Sequence, residues 1–127
     1  KLMGGWGVDM IHVSCWNAFE GPKGEPYDPR TITRRFSEVI TAGVPLVSTG
    51  SVWSESDTQF VLGEGADLVG VARAAVAHHD WAARICEGDY DPPRAPFSPE
   101  HLLSQGLSPV FVDYMRRWPG FVTDGRR

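Results

Sequence analysis

Two short stretches carry residue types that can hold an anion. In "STGSV", Thr49, Gly50 and Ser51 close an apolar run. A glycine there lets backbone N–H groups approach a charged oxygen closely. In "GVARAA", further along, Ala72 and Arg73 end a second apolar run. The guanidinium of an arginine is a planar fork that matches phosphate oxygens in pairs, and "AAVA" after it can start a short helix whose positive end faces the same ligand. Spacing leaves another arrangement open, in which Arg73 pairs with Asp67 or Glu55 at the surface.

The other chemistry-bearing residues are scattered. His12 sits inside an apolar run and reads as a buried, hydrogen-bonded core histidine in preference to an active-site group. His78 and His79 are adjacent, hence on different helix faces, which is poor metal geometry; both read as surface residues. Cys15 and Cys86 have neither Cys-x-x-Cys spacing nor a nearby histidine pair, so they read as free thiols in a reducing compartment, and no metal site is expected. Asp9, Asp57 and Asp67 are too spread along the chain to propose an acid–base pair. No catalytic residue is assigned.

Strands and helices must bring these residues into place. Residues 7–14, "GVDMIHVS", read as a first strand, apolar on both faces apart from Asp9 and His12. The loop "CWNAFEGPKGEPYDP" is broken by Gly21, Pro22, Gly24, Pro26 and Pro29. In "RTITRRFSEVITAG", Ile32, Phe36, Val39 and Ile40 recur at i, i+4, i+7 and i+8, which predicts an amphipathic helix entered at Asp28-Pro29 and stopped at Gly43. Residues 44–52, "VPLVSTGSV", are a second strand. "SESDTQFVLGEGA" is a second helix, with Ser54 and Asp57 at capping-box spacing. "DLVGVAR" is a third strand, and "AAVAHHDWAARICEG" one further helix closing at Gly88.

Strands apolar on both faces, alternating with helices, predict an α/β fold with a parallel sheet covered by helices. Three strands make a poor open sheet, because both edges expose backbone groups. A whole (β/α)₈ TIM barrel takes about 250 residues, so the 127 residues here supply at most about half of one. The opening "KLMGGWG" reads as the tail of a helix running into a turn and favours the barrel. Residues 1–88 are accordingly expected to form the last three strand–helix units of a partial TIM barrel. Residues 89–127 are a proline-rich extension and an aromatic tail. "DYDPPRAPFSPEHLL" should run extended over the surface. Val110, Phe111, Tyr114, Met115 and Trp118 form a short helical stripe that must bury itself on its own domain or at a subunit interface.

With 42% hydrophobic and 22% charged residues the composition is that of an ordinary globular domain or part of one. The net charge of −4 argues against nucleic acid or a membrane surface as partner, since phosphate backbones select basic patches. No apolar run reaches the ~20 residues of a membrane-spanning helix and no signal peptide opens the chain, so a cytoplasmic location is expected.

"GVDMIHVS", "VPLVSTGSVWSESDTQFVLGEGADLVGVARA", "GDYDPPRAPFSPEHL" and "LSPVFVDYMRRWPGFV" together resemble the C-terminal half of the Old Yellow Enzyme family, FMN-dependent NADH:flavin oxidoreductases and ene-reductases on a (β/α)₈ barrel. The likeness covers nearly the whole chain. Its specific part is a strand-end glycine followed later by an arginine after a small residue. The resemblance implies that Gly50 and Ser51 are backbone donors to the FMN phosphate, with Thr49 beside them, and that Ala72 and Arg73 stand where the family has a Gly-Arg pair. Ala72 departs from that glycine; its methyl group is tolerated if φ is negative and obstructs the site if φ is positive. His79 stands where a proline is common, a change that affects only the helix start.

The same resemblance implies NAD(P)H as reductant and hydride transfer through flavin to an activated alkene or another acceptor, with the protein positioning the cofactor. The family's substrate-binding histidine/asparagine pair and its tyrosine proton donor lie on an earlier strand, and none of those positions exists in this chain. A partner is therefore implied, the N-terminal half of the barrel, from the same precursor or another chain. A half-barrel with two exposed strand edges is also expected to form a homo-oligomer. In some relatives an arginine of the C-terminal tail reaches across a dimer to the neighbouring active site. Arg116 and Arg117, before Trp118, are candidates for that substrate or interface role, against a solvated basic pair beside a packed aromatic. The function expected is the C-terminal portion of an FMN-dependent oxidoreductase. The alternatives are a non-catalytic half-barrel that binds FMN or another phosphorylated ligand and self-associates, and a truncated product with structural meaning only.

Overall fold

Hydroxyl side chains set where four helices begin. In the computed structural model, which describes residues 7–24 and 28–123, Thr31, Ser54, Ser98 and Ser108 each accept a hydrogen bond from the backbone N–H three residues on. A short oxygen at this position satisfies a donor that the first helical turn leaves without an internal partner. The chain divides into two compact units, Lys1–Val71 and Ala72–Arg127. The expected lead-in at residues 1–6, and Pro26 of the first loop, lie outside the described residues.

The first unit is mixed α/β: β1 (Ile11–Ser14), α1 (Ile32–Ser37), β2 (Leu46–Thr49), α2 (Glu55–Gly63) and β3 (Leu68–Gly70). The strands form a parallel sheet in the order β1-β2-β3, with Ser14 opposite Thr49 and Thr49 opposite Gly70. Side chains alternate between the two faces of a strand. Val13, Leu46 and Ser48 share one face and are buried, with α1 packed on β2 and α2 on β3. His12, Ser14, Val47, Thr49, Leu68 and Gly70 share the other, where His12, Ser14 and Leu68 are exposed and the rest half-buried. The strands are thus not covered on both faces, because polar His12, Ser14 and Thr49 interrupt the second one.

The elements are shorter than the hydrophobic pattern predicts. α1 begins after Thr31, not at Asp28-Pro29, and ends at Ser37, short of Gly43. Its last turn tightens: the Val39 N–H donates to the Phe36 carbonyl, an i to i+3 bond. The apolar stripe does not face the core, since Phe36 and Val39 are exposed. α1 is instead held through Thr33, which is fully buried and meets Ser48 Oγ at 2.7 Å. α2 follows its sequence signal. Ser54 and Asp57 form the reciprocal capping box, and Val61 is its buried residue. β3 stops at Gly70, so Arg73 is not a strand-end residue.

The second unit is helical: α3 (Arg73–Ala77), α4 (Trp81–Glu87), α5 (Pro99–Ser104) and α6 (Pro109–Met115). The single helix expected over 74–88 is two, broken at His78, whose backbone is extended (φ −139, ψ 93). Its ring explains the break. His78 is 6% exposed, not a surface residue, and its Nε2–H donates to the Pro93 carbonyl at 2.9 Å while the ring lies edge-on to Phe97. Gly88 closes α4 with φ 85, as its position predicts.

The segment after Gly88 runs without helix or strand up to Phe97, which forms a parallel bridge with Val122. Phe97 N–H donates to the Phe121 carbonyl at 2.9 Å, and Thr123 N–H donates to the Phe97 carbonyl at 2.8 Å. α5 lies inside the proline-rich run that the sequence predicts to be extended. Ser98-Pro99 supplies both its cap and its first residue, where proline lacks only a donor that the helix does not use. In α6 the buried line is Val112 and Met115, while Val110, Phe111 and Tyr114 of the expected stripe are exposed.

Candidate functional site

The C-terminal end of β2 brings polar residues of β1 and β2 together. Thr49 Oγ1 lies 2.7 Å from Nε2 of His12 on the neighbouring strand. Register does this: Ser14 is opposite Thr49, so His12 is its diagonal neighbour on the same face. Gly70, opposite Thr49 on the other side, leaves the room. A Cβ at Gly70 would fall on the Thr49 hydroxyl, with the His12 Nε2 3.4 Å away. His12 is therefore an exposed, hydrogen-bonded residue and not a core histidine. Sequence reasoning missed the pairing because strand register is not written in either strand alone.

Gly50 and Ser51 continue from Thr49. The loop after β1 folds against them: Cys15 N–H donates to the Thr49 carbonyl at 2.7 Å and Ala18 N–H to the Gly50 carbonyl at 3.1 Å. A Cβ at Gly50, whose φ is 156, would stand 2.6 Å from the Cys15 carbonyl oxygen and 2.9 Å from the Ala18 nitrogen. The glycine is required by this backbone approach. Ser51 then adopts φ 56, a left-handed conformation sparsely populated by residues with a side chain. Its hydroxyl donates to the carbonyl of Trp16, a tryptophan 86% exposed.

Ala72 has φ −126 and ψ −82, so its φ is negative. Arg73 is exposed and is the first residue of α3, a helix of five residues. Arg116 and Arg117 are exposed as well. Arg116 Nε lies 3.3 Å from Asp113 Oδ1, and the Arg117 guanidinium sits 5.5 Å over the Tyr114 ring, which Trp118 meets edge-on. His79 is exposed, with Nδ1 2.8 Å from Gln105 Oε1. Asp67 Oδ2 accepts from the Leu46 N–H at 2.8 Å, fixing the start of β2 against β3.

A charged group lies at the entry to α1. Asp28 accepts from the Arg30 backbone and side chain, and Arg30 also reaches Glu38 at 2.6 Å. The Arg30 hydrogen bonds hold the Asp28 carboxyl down at about 2. The two cysteines are free thiols, and burial pushes the Cys15 thiol up from its ordinary value. Among the described residues no group of three or more His, Cys, Asp or Glu could hold a metal ion, and no helix is long and apolar enough to cross a membrane.

No family model matches the chain. It is 34% identical over 87 residues to the NADH:fumarate oxidoreductase of Klebsiella pneumoniae (strain 342). The matched stretch takes in 65% of this chain but 9% of that protein, so the chain spans a small part of the relative's length. The similarity is to an oxidoreductase.

Proposed function

We propose that the chain is the C-terminal portion of an FMN-dependent oxidoreductase of the Old Yellow Enzyme type, built as part of a (β/α)₈ barrel, and that it supplies the FMN phosphate anchor. Gly50 and Ser51 would offer backbone N–H groups, with Thr49 beside them, and Arg73 after Ala72 would offer the guanidinium fork. The observation that carries this reading is the left-handed backbone of Ser51 directly after Gly50, at the C-terminal end of a central parallel strand. Such conformations persist where surrounding structure holds them, often at ligand clamps, and ligands of parallel α/β folds sit beyond the carboxyl ends of the strands. A sheet with one helix-covered face and one face lined by His12, Ser14 and Thr49 also suits a barrel wall with an outside and an inside.

Bound FMN would supply the two-electron chemistry, with NAD(P)H as reductant; the NADH in the relative's name supports that choice. Fumarate, in the same name, is an activated alkene, the acceptor class proposed for the whole enzyme. The residues of this chain bind and orient. Groups that contact the acceptor would come from the remainder of the barrel, in the same polypeptide or in another chain, in a homo-oligomeric and cytoplasmic enzyme.

The test is size-exclusion of the purified chain with FMN, followed at protein and flavin absorption bands together. Flavin is expected to travel with the protein, and Arg73→Ala to weaken its binding by about 10- to 100-fold, the loss of a charge-assisted hydrogen bond. Flavin eluting free of the unaltered protein overturns the proposal.

A second reading is a non-catalytic half-barrel that holds FMN or another phosphorylated ligand and self-associates. It is favoured by the sheet edges, since β1 and β3 each pair only with β2 among the described residues. NADH-dependent reduction of the bound flavin separates it from the enzyme.

A further inference from the structure

We infer that His12 and Thr49 form a second anchor, distinct from the phosphate donors, which binds the hydroxyl-bearing ribityl chain of the flavin. The inference rests on the FMN reading above and assigns the Thr49 side chain to a different part of the same ligand.

The two side chains meet at 2.7 Å on the sheet face that the helices leave uncovered. Among the described residues the His12 ring makes one hydrogen bond, to Thr49. Two tautomers are compatible with it. If Thr49 donates to Nε2, the pair keeps the Nδ1–H as a donor and both hydroxyl lone pairs as acceptors. If Nε2–H donates to Thr49, the pair keeps the hydroxyl proton as a donor, and Nδ1 and a hydroxyl lone pair as acceptors. In both cases one donor and two acceptor sites remain.

That combination selects the ligand chemistry. A phosphate oxygen only accepts, and would use the pair's one donor and none of its acceptors. An alcohol donates and accepts, and matches the pair whichever tautomer is present. The position fits as well. Thr49 precedes Gly50 and Ser51, and neighbouring residues stand about 3.8 Å apart, the scale on which a polyol carbon follows its phosphate. Gly70 completes the arrangement, because any side chain there would expel the Thr49 hydroxyl from its place beside His12.

The experiment measures dissociation constants of FMN and of riboflavin, which lacks the phosphate, by flavin fluorescence on the full chain. Thr49→Val and His12→Ala are each expected to weaken both ligands about fivefold, the scale of one neutral hydrogen bond. The double variant should lose little more than either single one, Thr49→Ser should restore binding, and Gly70→Ala should mimic Thr49→Val. Arg73→Ala should weaken FMN and leave riboflavin unchanged. FMN binding that depends on Arg73 but not on His12 and Thr49 overturns this inference and leaves the phosphate reading standing. A loss confined to FMN, or riboflavin that fails to bind while FMN binds, also overturns it. Loss of both ligands on His12 and Thr49 substitution with no effect of Arg73→Ala supports it and counts against the arginine anchor. Binding of neither ligand by the unaltered protein overturns both.

Discussion

Thr33 and Ser48 meet hydroxyl to hydroxyl at 2.7 Å, both fully buried, and tie α1 to β2 where an apolar contact was expected. Removing one partner leaves the other without its hydrogen bond inside the core. Thr33→Val and Ser48→Ala are each expected to cost about 1–3 kcal/mol, the penalty of an orphaned buried hydroxyl. The double variant should cost clearly less than the sum. Denaturant unfolding of the four proteins gives the cycle directly, and additive losses would contradict the coupling.

Gly50→Ala should be among the most damaging small substitutions in the chain. Its new methyl group meets backbone atoms of Cys15 and Ala18, which cannot swing aside as a flexible side chain can. The expected loss is about 2–3 kcal/mol, in the range of overpacked sites. Gly106→Ala is the control: φ there is 92 but no atom lies within 4 Å, so only the left-handed backbone cost of about 1 kcal/mol applies. Equal midpoints for the two variants in thermal unfolding would remove the steric argument.

Asp28 should titrate at about 2, held there chiefly by its hydrogen bonds from Arg30. A folded-state value below the unfolded one means that the contribution to stability is present above the unfolded carboxylate value. It is lost as pH falls from there through about 2. Replacing Arg30 with methionine should move the midpoint up towards 3.8, the ordinary value. Carboxyl carbon shifts followed by NMR through the acid range read both numbers, and a midpoint unmoved by the substitution would assign the depression elsewhere.

The two thiols should differ in reactivity. Cys15 is half-buried and burial raises its pKa, which lowers its thiolate fraction at neutral pH, whereas Cys86 is exposed on α4. A disulfide reagent at pH 7 is expected to give two phases, with Cys86 in the fast one. Cys86→Ser should abolish that phase. A fast phase that survives the substitution would reverse the assignment.

Signals confined to one element were legible in the sequence. The Ser54–Asp57 box begins α2, Gly88 ends α4, and the alternation of strand and helix gives a parallel three-stranded sheet. What failed depended on partners far along the chain. The α1 periodicity pointed to Phe36 and Val39, but the sheet chose Thr33. His78 looked like a surface residue until Pro93 and Phe97 came round to meet it. His12 looked like a core residue because its neighbours are apolar, yet strand alternation turns it to the open face beside Thr49. Helix α5 was hidden by prolines that read as breakers, although a proline just inside a serine cap starts a helix. Of the candidate site, the residue types at 49–51 were visible, but not their pairing across strands.

The bridge between Phe97 and Val122 has a consequence for the order in which the second unit is made. Phe97 is buried against Phe121, and its backbone partners are Phe121 and Thr123. During synthesis the proline-rich segment therefore emerges well before the residues that hold it. The growing chain must carry Phe97 without its Phe121 cover until residues 121–123 have been added. Closure of the bridge between Phe97 and Val122 is therefore a late step in the making of this unit, one that waits on residues 121–123.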